Sequence, residues 1–160
     1  MNLSDLTPPQ LLALHARLCD ELRARGITRS SNNPTGDLAE YLLCRAFGWT
    51  QAGNSHANVD AVASDGTRYQ IKGRRLTRYN KSRQFSAIRD LVGGHFEFIA
   101  GVLFNEDYTV MRAALIPNAV AIDRAKFVEH TNSHKFLLRD DIWNATGVRD
   151  VTSELRAVTF

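Results

Sequence analysis

Residues 59–72 constrain the fold more than any other stretch of the chain. They read Val59-Asp60-Ala61-Val62-Ala63-Ser64-Asp65-Gly66-Thr67-Arg68-Tyr69-Gln70-Ile71-Lys72. Two short runs meet at Asp65-Gly66, a dipeptide that favours a tight hairpin turn. A two-residue turn would pair Ser64 with Thr67 and set Asp60 opposite Ile71. Opposed residues share a face, so a bare carboxylate would then enter an apolar layer with Tyr69 and Ile71, at high cost. A three-residue turn, Ser64-Asp65-Gly66 with Gly66 left-handed, pairs Ala63 with Thr67 and Asp60 with Gln70. One face becomes Asp60, Val62, Arg68, Gln70 and Lys72, and the other Val59, Ala61, Ala63, Tyr69 and Ile71. This register separates polar from apolar, and it is the one expected.

The polar face carries chemistry. A carboxylate and an amide oxygen can hold a divalent cation, and a lysine beside them can orient water or stabilise a phosphorane. That is equipment for metal-assisted phosphodiester hydrolysis. The string itself is loose, and an ordinary half-exposed hairpin with polar residues outside would also satisfy it.

Charge adds context. The net charge is +3, yet residues 66–89 hold eight Lys/Arg (Arg68, Lys72, Arg74, Arg75, Arg78, Lys81, Arg83 and Arg89) and no acid. The other 12 basic residues face all 17 acids, leaving −5. Tyr79 and Phe85 are interleaved with the basic run. Such a stretch attracts a phosphate backbone. It is expected to be partly irregular or mobile.

The remaining pattern suits one domain. With 160 residues and 44% hydrophobic content the chain can build a full core. It has no apolar run long enough to cross a membrane. Met1-Asn2-Leu3-Ser4-Asp5 shows no secretory signal. Cys19 and Cys44 form no metal or redox motif, so a cytoplasmic location is the expectation. Thr7-Pro8-Pro9 opens a helix over 8–25, with leucines at 11, 14, 18 and 22. A second helix runs from about Asn33-Pro34-Thr35 to Phe47 and stops at Gly48, with Leu38, Leu42 and Ala46 as its core stripe. Residues 49–58 are expected as a loop, which includes His56. Residues 96–104 read as a strand buried on both faces, and 108–116 as a further strand. A helix follows Pro117 to about Ala125. Residues 126–160 are read as a largely helical extension of a core spanning about 33–125. Within it, 136–138 could form a short strand, 140–144 a helical turn and 153–157 a last helix.

The order of these elements resembles the PD-(D/E)xK nuclease superfamily, with its restriction-endonuclease-like fold. The Gln70-x-Lys72 pair resembles the variant found in Mrr-type restriction nucleases. The resemblance covers about 33–104. It implies an α/β fold with a central mixed sheet flanked by helices. It also implies that Asp60 is the main metal ligand, that Gln70 replaces the usual acid, that Lys72 positions water or phosphate, and that Glu40 on the preceding helix joins the metal. The implied cofactor is Mg²⁺ or Mn²⁺. The implied activity is that of a nuclease, a DNA endonuclease of restriction, defence or repair type, with RNA left open. The expected nucleic-acid contacts are Arg68, Arg74, Arg75, Arg78, Lys81 and Arg83. A homodimer would place two sites on a duplex. Two departures matter: no proline precedes Asp60, and Gln70 is neutral. Because of the second, a silent nucleic-acid-binding member and a protein-interaction module on the same fold stand as alternatives.

Overall fold

The computed structural model describes residues 2–53 and 58–160. His56 lies outside them. The architecture is α/β: a mixed six-stranded sheet with helices packed on it, consistent with a restriction-endonuclease-like core. The helices are α1 (Pro8–Ala24), α2 (Thr35–Phe47), α3 (Asn118–Arg124) and α4 (Thr152–Arg156). The strands are β1 (Thr50–Gln51), β2 (Ala61–Val62), β3 (Arg68–Arg75), β4 (Phe98–Phe104), β5 (Val110–Pro117), β6 (Lys126–Val128), β7 (Ser133–Lys135) and β8 (Arg149–Asp150). The sheet order is β1-β2-β3-β4-β5-β8, and β6 and β7 form a separate ribbon. Among the described residues only β3 and β4 pair in parallel within the sheet.

The hairpin has the expected register, with Ala61 opposite Tyr69 and Val62 opposite Arg68. Gly66 has φ +88°. Its N–H donates to the Ala63 carbonyl at 3.0 Å, and the Ala63 N–H donates to the Thr67 carbonyl at 2.9 Å. A left-handed residue at this point is cheap only for glycine, because a side chain would meet the following carbonyl.

Strand β4 is the centre of the core. Ile99 through Phe104 are all buried, with alternate residues pointing into two separate apolar layers. The first layer lies under α2, where Leu38, Ala39, Leu42 and Leu43 meet Tyr69, Ile71, Ala100 and Val102. Gly73 lets α2 approach closely, since a Cβ there would stand 2.7 Å from the Thr35 carbonyl oxygen. Helix α2 stops at Gly48, which is left-handed at φ +66°. Beyond it Trp49 stacks on Tyr69 with ring centroids 3.7 Å apart.

The second layer is built mostly without helices. Phe85, Ile88, Leu91 and Phe96 come from the connection between β3 and β4, and Phe136, Leu138 and Ile142 from the C-terminal part. Parallel strands need a crossover, usually a helix. Here it is irregular chain with a single 3₁₀ turn at Leu91–Gly93, tied down by bridges from Gln84 to Leu137 and from Ile88 to His134. Phe85, expected beside the basic residues of a binding surface, is 1% exposed and belongs to the core.

Two further expectations change. The stretch 49–58 contains the edge strand β1, too short to show an alternation. Residues 126–160 supply β6, β7 and β8 besides α4, and Val151 and Leu155 join the first layer. Helix α1 buries none of its residues, so its leucines do not join the core of this chain.

Candidate metal and phosphate site

The site forms where the hairpin opens beneath the flank of α2. Asp60 lies one residue beyond the last paired position of β2, in line with Gln70 by that register. Its backbone N–H donates to the Tyr69 carbonyl at 2.9 Å, and its own carbonyl accepts from Ala52 at 2.9 Å. Its carboxylate Oδ2 accepts the Ile71 N–H at 2.6 Å. The side chain thus takes a hydrogen bond that a ladder carbonyl would otherwise supply, and this fixes the carboxylate against β3. Burial raises the Asp60 pKa, opposed by the Ile71 N–H and by the positive charges of Lys72 and Arg29.

Gln70 and Lys72 follow on β3. They pair with Ile99 and Gly101 of β4 and so face the second apolar layer. That face was expected to be polar and open. It is covered, and Gln70 is only 6% exposed. Its amide oxygen Oε1 is buried with no hydrogen-bond partner among the described residues. Lys72 is partly buried. Burial lowers its pKa, while Asp60 and Glu40 hold it up.

Glu40 comes from α2. Leu38, Ala39, Leu42 and Leu43 turn inward, and Glu40 falls on the flank between them and solvent. Its side chain is 15% exposed and accepts a hydrogen bond from the Arg29 guanidinium. Burial first, and the Asp60 charge second, push its pKa up to about 7 against the pull of Arg29. The Asp60 charge is therefore near enough to oppose the ionisation of Glu40. Asp37, one turn earlier, is used differently: it accepts the backbone N–H groups of Arg29 and Ser30, each at 2.9 Å. Those bonds outweigh its burial and lower its pKa. They also pin the 29–30 loop where Arg29 reaches Glu40. Sequence reasoning missed Arg29, because it sits in a linker without periodicity and acts through a fold-level approach. Cys44, one turn beyond Glu40, has its thiol pushed up to about 11 by burial and by Glu40, so it is a poor nucleophile at neutral pH.

The donor set fits a hard divalent cation in part. Two buried carboxyls that resist ionisation and an orphaned amide oxygen would all be relieved by one positive ion. Asp60, Gln70 and Glu40 are the residues that could hold it. Against this, no group of three or more His, Cys, Asp or Glu residues is placed to bind a metal among the described residues.

The basic residues divide. Arg68 is engaged by the Glu97 carboxylate and the Gly94 carbonyl. Arg75 stacks over the Tyr108 ring at 4.5 Å and donates to its hydroxyl at 2.7 Å. Arg74 donates to the Ser82 carbonyl at 3.0 Å. Arg78, Lys81 and Arg83 line one recess of about 410 Å³ with Leu76 and Glu106. Of these, Arg78 pairs with Glu106 at 3.5 Å and Arg83 with Asp140 at 2.7 Å. Exposed Lys81 has no acidic partner among the described residues. Tyr79 beside them is 85% exposed.

No family model matches the chain, and no curated protein matches it. No helix among the described residues is long and apolar enough to cross a membrane.

Proposed function

We propose that this chain is a metal-dependent nuclease that hydrolyses phosphodiester bonds, with DNA as its substrate. The observation that carries the reading is the orphaned carbonyl of buried Gln70, in register with Asp60 and on the same strand face as Lys72, with Glu40 near enough to both Asp60 and Lys72 for its charge to be felt. A buried acceptor without a donor costs about 1–3 kcal/mol, and a chain that serves only as a scaffold has no use for it. A bound Mg²⁺ or Mn²⁺ would supply Lewis acidity at the phosphate and a more acidic water. Asp60 and Glu40 would supply its negative ligands and Gln70 a neutral one. The Lys72 ammonium, held by the field of both carboxylates, offsets charge on a non-bridging phosphate oxygen and orients the attacking water. In-line attack leaves a 3′-hydroxyl and a 5′-phosphate, as the superfamily resemblance implies. The recess at Arg78, Lys81 and Arg83 would take the backbone on one side. The free thiols Cys19 and Cys44 suit the cytoplasm.

A second reading is favoured by the Arg29–Glu40 ion pair. A resident guanidinium on one carboxylate and a neutral Gln70 describe a chain that binds nucleic acid without cutting it. One assay separates the two. Plasmid and single-stranded DNA are incubated with Mg²⁺, Mn²⁺ or EDTA, using wild type and Lys72→Ala. Cleavage by wild type alone, and only with metal, supports the nuclease. Metal-independent, salt-sensitive binding without cleavage supports the silent form.

A further inference from the structure

Among the described residues, Tyr79 is the most exposed of the large hydrophobic side chains. The chain around it is ordered so as to hold the ring out. Thr77 and Asn80 exchange backbone hydrogen bonds at 2.9 and 3.2 Å. The Thr77 hydroxyl oxygen accepts the N–H groups of Tyr79 and Asn80 at 3.3 and 3.1 Å. Asn80 Oδ1 accepts the Ser82 N–H at 3.0 Å, and the Ser82 carbonyl accepts from Arg74 Nε at 3.0 Å. The tip 77–82 is thus a self-bonded turn pinned to the residue two places beyond Lys72.

The strand that carries the site also sets the position of this tip. Lys72, Arg74 and Leu76 alternate onto one face of the sheet. The first two pair with Gly101 and Leu103 of β4, and the Leu76 N–H extends the ladder to the Phe104 carbonyl at 2.9 Å. From Lys72 to Leu76 the strand spans about 13 Å, the length of about four nucleotides of a stacked strand. Arg74, Arg78, Lys81 and Arg83 stand around the tip and its recess against Glu106 and Asp140, leaving two positive charges in surplus. The Arg78 guanidinium lies 5.2 Å from the centre of the Tyr79 ring. The chain neighbours of that ring, Arg78, Asn80, Lys81 and Ser82, are all polar. An aromatic anchor of a protein interface is ringed by contacts that exclude water. A ring flanked by cations and amides suits a base, which needs a π-face and a positive charge for the phosphate beside it.

We propose that the 77–82 tip is a stacking platform for an unpaired base, so that the DNA this chain takes has a single-stranded segment beside the phosphate at Lys72. Tyr79 stacks on the base, while Lys81 and the arginines beside it hold the adjoining phosphates. Inside a duplex each base is covered by its neighbours, so a fully paired strand gains only the charge contacts. The proposal rests on the nuclease reading for its polynucleotide, but the stacking needs neither metal nor cleavage.

The test is fluorescence anisotropy of the full chain in EDTA across a salt series, with labelled oligo-dT of about 20 nucleotides and a duplex of about 40 base pairs. The wild type should bind both. Tyr79→Ala should weaken oligo-dT binding about tenfold, leave its salt slope unchanged and shift duplex affinity by less than about twofold. Tyr79→Trp should restore the single-strand affinity, because the ring face and not the hydroxyl makes the contact. A 2-aminopurine placed within the oligonucleotide should lose fluorescence on binding the wild type, and much less on binding Tyr79→Ala. The substituted side chain is exposed, and circular dichroism checks that each variant is folded. Equal loss on single strand and duplex, or no loss on either, would overturn the stacking role and leave the nuclease reading to its own cleavage assay. Tyr79-dependent binding of single strands by a chain that cuts nothing with Mg²⁺ or Mn²⁺ would keep the platform and remove the nuclease. Absence of binding to both probes at low salt would overturn both and assign the exposed ring to a protein partner.

Discussion

The carboxylate of Asp60 accepts the backbone N–H of Ile71 at 2.6 Å, in the middle of the strand that carries Gln70 and Lys72. The bond fixes the acid against the strand that carries both residues. It also buries a charge that the fold alone would be better without. Asp60→Asn keeps an oxygen for Ile71 and removes that charge. We expect the variant to be as stable as wild type or more so, by up to about 1–2 kcal/mol, and to lose Mg²⁺ binding. Chemical denaturation and calorimetric titration check this. Equal Mg²⁺ binding by the two proteins would move the metal elsewhere.

Glu40 gives a pH dependence. Its folded pKa of about 7 exceeds the ordinary 4.5. Its contribution to stability is full below 4.5, where both states are protonated, and is lost as pH rises through about 7. The loss should be on the order of 2–3 kcal/mol and absent in Glu40→Gln. Mg²⁺ binding must displace the same proton, so its affinity should fall up to tenfold per pH unit below 7 and flatten above it. Titrations between pH 5 and about 9, in buffers of different ionisation heat, measure both the slope and the released proton. A Glu40→Gln protein that keeps the wild-type profile would exclude Glu40 as its source.

Replacing Gln70 with Glu trades stability for affinity. A carboxylate at this buried position has only a cation to compensate it. Without metal the variant should be about 2–4 kcal/mol less stable than wild type. Saturating Mg²⁺ or Mn²⁺ should return much of that loss, and binding should be tighter than wild type. Melting curves with metal and with EDTA decide it. A destabilisation that metal leaves unchanged would separate Gln70 from the ion.

The basic residues should differ in kind. Lys81→Ala is expected to weaken DNA binding for all sequences and to reduce the slope of log affinity against log salt by about 1. Arg68→Ala should leave the slope nearly unchanged, because Glu97 already neutralises that side chain. Fluorescence anisotropy across a salt series makes the comparison. Equal effects at the two positions would undo the distinction between the recess and the Arg68–Glu97 pair.

Gly73→Ala tests how α2 is seated. The new methyl would lie 2.7 Å from the Thr35 carbonyl and 3.1 Å from the Ala39 Cβ, so the helix must move. We expect a loss of about 1–3 kcal/mol and weaker metal binding through displaced Glu40. Stability and affinity that both match wild type would show that α2 has slack.

The hairpin was readable because side-chain parity and the Asp65-Gly66 turn left one register that kept a carboxylate out of the apolar layer. Strand β4 was readable from an unbroken apolar run, and the end of α2 from Gly48. Strands β1 and β8 have two residues each, too few to carry a period. The second apolar layer was hidden for a related reason. Phe85, Ile88, Leu91, Phe136 and Leu138 sit in irregular chain, where no spacing marks the inward side. That layer is also what buries Gln70, so its exposure was misjudged from the hairpin alone. The leucines of α1 had a helical period, but a period shows only that a face is apolar and leaves open what covers it.

The crossover between β3 and β4 is anchored by Phe85, Ile88 and Leu91, while residues 77–82 upstream fold back on themselves through the Thr77–Asn80 hydrogen bonds. Length can therefore change at 77–82 without disturbing the sheet, whereas an insertion at 85–91 would pull aromatic and aliphatic anchors out of register. Descendants of this sequence could vary their outer contacts at that tip by adding or deleting residues, with the Asp60 and Lys72 positions held fixed beneath it.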